Sequence, residues 1–253
     1  MRYPMITGHT GNDGTQNNSI ESIHKSISLG ADAFEVDIRK AGDSDLVLSH
    51  DAHGPSGYDT YPRLGEAFEI AAQHPDIRIN CDLKDDDLPL EVVALANSFG
   101  IGVNRLILSG SVATTYLSSH PELVQMADVY LNAECIFEKL YFQETSQAKT
   151  QSQYDAFREN PWKYIKRTIT SIDPYIGILS ETCLEYGVKG INIPYVCLTD
   201  ESIKGFKKYG VPLSVWTVNE ETEMTRLFSY GIENLTTRCV GKAKSIRKNL
   251  LGF

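Results

Sequence analysis

Gly30-Ala31-Asp32-Ala33-Phe34-Glu35-Val36-Asp37-Ile38 decides how this chain is read. Phe34, Val36 and Ile38 alternate with Glu35 and Asp37, the period of a β-strand, so both carboxylates share one face. Like charges held that close repel each other and are costly to desolvate unless a cation sits between them. After a second apolar run, Leu46-Val47-Leu48, comes Ser49-His50-Asp51. Upstream, Ile6-Thr7-Gly8-His9-Thr10-Gly11 puts another histidine at the end of an apolar run. Two carboxylates and two histidines from three strand ends suggest a metal-assisted hydrolytic site.

The rest of the chain repeats this strand rhythm. Candidate strands are Tyr3–Gly8, Ala33–Ile38, Leu46–Ser49, Ile77–Leu83, Arg105–Ser109, Val129–Asn132, Gly190–Ile193, Leu213–Val218 and Asn234–Thr236. Between them apolar residues fall at helical spacing: Ile20, Ile23 and Ile27; Leu64, Ala67 and Phe68; Val92 and Ala96; Ile203 and Phe206; Met224 and Leu227. Asn18 followed by Glu21 reads as a capping box, and Gly30, Gly100, Gly187, Gly210 and Gly231 read as helix stops. Strands alternating with helices predict a parallel sheet, and eight or nine strands in 253 residues favour a closed barrel. The expected fold class is therefore α/β, a single (β/α)8 barrel domain over residues 1–253, a size typical of that fold. One stretch breaks the rhythm. Residues 134–171, after the fifth main strand, read as long, polar and helical with interspersed aromatics. This segment is an insertion packed on the barrel wall, or a lid over the catalytic end.

Composition narrows the function classes. Hydrophobic content of 42% supports one large core. A net charge of −9 argues against a general nucleic-acid or anionic-membrane binder, so an anionic substrate needs local cations or a metal. The five cysteines are scattered and form no CxxC pair, as expected of reduced thiols rather than a disulfide framework. No run approaches the roughly 18 apolar residues of a membrane span, and the N-terminus lacks a signal-peptide core. The expectation is a soluble, cytoplasmic protein with no stable membrane insertion. Its oligomeric state is not legible.

The order of motifs resembles the glycerophosphodiester phosphodiesterase family. The matching segments are His9-Thr10-Gly11, Asn17-Asn18-Ser19, Gly30-Ala31-Asp32, Glu35-Val36-Asp37 and His50-Asp51. They continue with Asp82-Leu83-Lys84, Trp216-Thr217-Val218-Asn219 and Thr236-Thr237-Arg238. The resemblance implies a (β/α)8 barrel in which Glu35, Asp37 and Asp82 hold one divalent cation. Oxygen-only ligation favours Mg²⁺ or Ca²⁺. It further implies that His9 and His50 act as general acid and base, that Lys84 faces a phosphate oxygen, and that Trp216 lines the substrate pocket. The implied partner is a small-molecule phosphodiester. Hydrolysis of a glycerophosphodiester to glycerol 3-phosphate and an alcohol leads, with a different headgroup or a non-catalytic binding barrel as alternatives.

Departures from the family pattern are as specific as the matches. Thr10 stands where the family has arginine, Asn17 where it has an acidic residue, Asp82 where it has glutamate, and Thr237 where it has aspartate. Arg39 and Arg238 are the candidates to restore the missing cation. The stretch from His50 to the Asp82 strand is short, with Gly54-Pro55-Ser56-Gly57 making a bare turn in place of a small insertion domain.

Overall fold

The computed structural model describes residues 4–42, 45–53, 55–58, 60–134 and 172–252. Strands and helices alternate along it. They are β1 (Met5–Gly8), α1 (Ile20–Ser28), β2 (Ala33–Ala41), β3 (Asp45–Leu48), α2 (Leu64–Gln73), β4 (Arg78–Leu83) and α3 (Pro89–Ser98). β5 (Leu106–Gly110), α4 (Thr114–Ser119), α5 (Leu123–Met126) and β6 (Asp128–Asn132) follow. After the gap come α6 (Ile176–Glu185), β7 (Gly190–Pro194), α7 (Asp200–Tyr209), β8 (Leu213–Trp216), α8 (Glu221–Ser229), β9 (Asn234–Thr237) and α9 (Val240–Leu251). Eight of the strands are parallel neighbours in the order β1-β9-β8-β7-β6-β5-β4-β2. β1 pairs with β2, Thr7 opposite Ala33, and closes the sheet into a barrel. The (β/α)8 reading holds.

The run around Leu46 is the exception. β3 lies antiparallel to β2, with Ile38 opposite Leu48, outside the barrel. The link from Ala41 to Asp45 is too short for the parallel crossover of about a dozen residues that another barrel strand would need. The hairpin has a consequence for the site: Ser49 N–H donates to the Asp37 carbonyl at 3.0 Å, which brings His50 back beside the end of β2.

The helix starts also differ in detail from expectation. Ser19, not Asn18, caps α1, its side chain accepting from Ser22 N–H at 3.1 Å. Asn18 takes a positive φ of 53° and turns its amide inward. Gly30 and Gly210 adopt the left-handed conformation with φ near 70°, as a helix stop requires. Between His50 and α2 the described residues form a short 3₁₀ turn at Pro55–Tyr58. Of residues 134–171, only Glu134 lies within the described residues, so the inserted segment falls outside them.

Alternation divides each strand between two environments. Phe34, Val36, Ile38, Ile79, Cys81 and Leu83 belong to the large cluster packed under the helices. Ala33, Ile107 and Tyr130, with Met5, form a separate small cluster that plugs the barrel interior. Above it the inward positions become polar. Thr7 Oγ1 donates to Asn234 Oδ1 at 2.8 Å, Asn234 Nδ2 to Ser214 Oγ at 3.0 Å, and Ser214 Oγ to Asn192 Oδ1 at 2.9 Å. Asn192 Nδ2 then donates to Asn132 Oδ1 at 2.9 Å. These amides and hydroxyls satisfy one another, so a buried polar layer forms without orphaned groups along that chain of bonds. The carboxylates stand one layer higher, at the C-terminal end of the strands, where barrels of this kind carry their sites.

No helix among the described residues is long and apolar enough to cross a membrane. Cys81 and Cys183 are buried free thiols, Cys197 and Cys239 are half-buried, and Cys135 lies outside the described residues.

Candidate active site

Register brings the acidic residues together. Asp37 on β2 is the direct neighbour of Asp82 on β4, and Glu35 sits two residues below Asp37 on the same face. One oxygen each from Glu35, Asp37 and Asp82 lies within 4.8 Å of the others. Glu35 is 7% exposed and Asp37 3%, so the charges face one another with little water between.

Each carboxylate is held by a specific partner. Glu35 Oε2 accepts from Thr10 N–H at 3.0 Å. Asn18 grips Asp37 twice, Nδ2 donating to Oδ2 at 2.9 Å while Oδ1 accepts from Asp37 N–H at 3.1 Å. Thr10 Oγ1 in turn accepts from Asn18 N–H. Thr10 therefore organises the loop that positions Asp37, a task for which a short buried hydroxyl suits and a long cation does not. Asp82 Oδ1 accepts from Ser109 Oγ at 2.6 Å. Lys84 Nζ bridges the pair, 2.8 Å from Asp37 Oδ1 and in contact with Asp82 Oδ2. Gly110 leaves room for this cluster: with φ +81°, a Cβ there would fall 2.2 Å from the Leu83 carbonyl and 3.0 Å from Asp82 Oδ1.

These contacts set the electrostatics. Burial pushes the Glu35 carboxyl up to about 7; His9 opposes the shift, and Asp37 and Asp82 add to it. Burial works in the same direction on Asp37, but Lys84 and the Asn18 amide outweigh it and hold Asp37 below the ordinary carboxylate value. Lys84 pays a desolvation cost that Asp82 and Asp37 overcome, so its ammonium stays above its ordinary value. Three carboxylates and one ammonium leave a formal charge of −2 when all are ionised. That deficit and the all-oxygen donor set fit one hard divalent cation.

Both predicted histidines line the same cavity, of about 430 Å³, with the three carboxylates, Lys84 and Trp216. His9 Nδ1 donates to the Thr10 carbonyl at 2.7 Å and lies 3.6 Å from Glu35 Oε2. Since a carbonyl only accepts, Nδ1 carries the hydrogen and Nε2 is left to exchange a proton. His50, 68% exposed at the rim, has Nδ1 2.8 Å from Asp51 Oδ1, which orients it in the same sense. Trp216 ends β8, its indole nitrogen 3.2 Å from the Asn192 amide.

Two residues, one behind the cavity and one lining it, carry chemistry that their sequence context did not reveal. Asn18 was read as a helix cap and is instead the clamp on Asp37. Glu134 was read only as the start of the inserted segment. It lines the cavity beyond Asn132, whose Nδ2 donates to Glu134 Oε1 at 2.7 Å. Its Oε2 is buried with no hydrogen-bond partner among the described residues. Burial raises this carboxyl also to about 7. Of the two candidate arginines, Arg39 is paired with Asp85 and donates to the His50 carbonyl at 2.9 Å. Arg238 lines the cavity.

The raised carboxyls make a stability prediction. Between about pH 4.5 and 7 the native state holds protons on Glu35 and Glu134 that the unfolded chain has released, so metal-free stability falls as pH rises through that window. A divalent cation reverses the sign at Glu35 by favouring its ionised form. Thermal melts in chelator are expected to show a lower Tm at pH 7.5 than at pH 5.5, with Mg²⁺ raising Tm more at the higher pH. A metal-free Tm that climbs across the window contradicts this account.

No family model matches the chain. A glycerophosphodiester phosphodiesterase from Caldanaerobacter subterraneus subsp. tengcongensis is 24% identical over 255 residues, spanning 92% of this chain and 93% of that protein. Among solved structures, a glycerophosphodiester phosphodiesterase from Parabacteroides distasonis superposes with a TM-score of 0.69 at 17% identity, covering 99% of each chain. One from Agrobacterium tumefaciens gives 0.65 at 15% identity over 97% of this chain and 99% of its own. An Oleispira antarctica phosphodiesterase, solved with the product sn-glycerol-3-phosphate, gives 0.63 at 16% identity over 96% of each. The solved structures share the barrel fold, and the Caldanaerobacter protein shares nearly the full length. In motif order, barrel fold and nearly full-length alignment, the chain is similar to glycerophosphodiester phosphodiesterases.

Proposed function

We propose that this protein is a phosphoric diester hydrolase that acts on a glycerophosphodiester with one bound Mg²⁺ or Ca²⁺, releasing glycerol 3-phosphate and an alcohol. The observation that carries the reading is the convergence of Glu35, Asp37 and Asp82 within 4.8 Å in a cavity that also holds two histidines with Nδ1 already engaged. The full-length relative in Caldanaerobacter and the product complex in Oleispira support the substrate class.

Glu35, Asp37 and Asp82 hold the cation, which supplies Lewis-acid polarisation of a phosphoryl oxygen. His9 and His50 exchange protons at Nε2: one takes the proton of the attacking hydroxyl, the other delivers a proton to the departing alkoxide. The attacking hydroxyl belongs to water or to the glycerol arm itself. Lys84, fixed by Asp37 and Asp82, favours the ionised form of Asp37 and adds positive charge beside the phosphoryl group. Asp82 is one methylene shorter than the family's glutamate, and its Ser109 hydrogen bond fixes the carboxylate's direction. Trp216 and Asn192 form the wall against which the organic arm packs.

The experiment is a substrate panel: glycerophosphocholine, glycerophosphoethanolamine and a generic aryl diester, each with Mg²⁺ or Ca²⁺, with glycerol 3-phosphate measured directly. Release of glycerol 3-phosphate from the first two is expected. Turnover of the aryl diester alone retains the chemistry and rejects the glycerol-based assignment, while no turnover of any diester rejects both.

A further inference from the structure

Arg238 directly follows β9 and faces the cavity beside His9. Its position is fixed by the backbone: Arg238 N–H donates to Asn219 Oδ1 at 2.9 Å, and His9 N–H donates to the Thr237 carbonyl at 2.8 Å. Its side chain is fixed as well, Nη1 donating to Asn17 Oδ1 at 3.0 Å. Asn17 is neutral, so this bond holds the guanidinium without cancelling its charge. No carboxylate pairs with Arg238 among the described residues. The other nearby cations are committed, Lys84 to Asp37 and Asp82 and Arg39 to Asp85. Gly11 keeps the arrangement open. With φ +73°, a Cβ there would fall 2.0 Å from Asn17 Oδ1 and 3.3 Å from Arg238 Nη1.

A half-buried arginine with an uncancelled charge, held by an amide at the wall of an otherwise acidic cavity, is arranged for an anion. Guanidinium offers several donors in a planar fork, and Asn17 occupies only one of them, leaving the rest for paired bonds to phosphoryl oxygens. We infer that Arg238, positioned by Asn17, is the residue of this cavity that binds a non-bridging phosphoryl oxygen, on the His9 side of the cavity. This rests on the phosphodiester reading above and deepens it: the ligand class is an anionic phosphoryl group held between Arg238 at the end of β9 and the cation that the β2 and β4 carboxylates would hold. It also gives Asn17 a role that an acidic residue there would defeat, because a carboxylate would pair with the guanidinium and compete with the substrate.

The test is calorimetric binding of inorganic phosphate to the full Mg²⁺-loaded chain. R238A and R238Q are expected to weaken binding by roughly 10- to 100-fold, the effect of losing charge-assisted hydrogen bonds, with R238K intermediate. R238Q retains a donor for Asn17 and serves if R238A unfolds. N17E is expected to weaken binding comparably, although it still holds the arginine. Phosphate affinity unchanged in R238Q overturns the inference, and wild-type affinity in N17E overturns the charge argument. Binding is read without turnover. A chain that hydrolyses no diester yet loses phosphate affinity on R238Q therefore rejects the proposed activity and upholds the anion site.

Discussion

His9→Ala is expected to lower kcat by roughly 10²- to 10⁴-fold, the contribution of one positioned general acid or base. The geometry accounts for the size of the effect. Nδ1 is tied to the Thr10 carbonyl, so the imidazole presents one defined tautomer and orientation, and the neighbouring Glu35 carboxylate belongs to the cation cluster. The effect should fall on kcat rather than KM, because His9 acts on a proton in flight and not on the resting substrate. The leaving group separates its role from that of His50. An aryl diester needs little protonation on departure, so whichever histidine is the acid loses less activity on replacement with that substrate than with glycerophosphocholine. A His9→Ala enzyme with wild-type kcat and only a raised KM contradicts the assignment.

Asp37→Asn is expected to be at least as damaging. The side chain stays nearly isosteric, so the barrel should fold, but one of three negative charges disappears from a site whose balance suits a divalent ion. Lys84, which now bridges Asp37 and Asp82, would be left to neutralise a much larger share of what remains. Mg²⁺ affinity by calorimetry at pH 7.5 is expected to fall by roughly 10²-fold or more, and turnover by several kcal/mol of lost charge stabilisation, about 10³-fold. Asn18→Ala should reproduce a weaker form of the same defect, roughly 10-fold, because it removes the clamp on Asp37 and not the ligand. Wild-type Mg²⁺ affinity in Asp37→Asn would show that the trio is not the metal site.

The parts of the molecule legible in the sequence are those where a periodic pattern and a chemical oddity coincide. Glu35 and Asp37 interrupt an apolar alternation, so their shared face and their position inside the barrel both follow from period two. Asp82 and Lys84 repeat the pattern on the neighbouring strand. The β3 hairpin was less legible, since Leu46-Val47-Leu48 looks like any barrel strand and only the short link before it excludes a crossover. Asn18 was misread because an asparagine before a helix has a common local use, while its actual partner, Asp37, is nineteen residues away and depends on the loop taking a positive φ. The polar interior carried a weak signal. Asn80, Ser109, Asn132, Asn192 and Ser214 each sit singly within apolar strands, at the parity that faces inward, and only closure of the barrel makes them neighbours. Glu134 had no periodic context to place it, and its burial arises from the tertiary structure around Asn132.

Carboxylates on β2 and β4 are proposed to bind a divalent cation that turnover requires. The most direct measurement follows hydrolysis of glycerophosphocholine by the purified wild-type chain after chelation and then during titration with Mg²⁺ or Ca²⁺. No turnover is expected in chelator, with recovery that saturates as the ion is restored and no recovery in Asp37→Asn. A rate in chelator equal to the rate in Mg²⁺ would contradict the proposal.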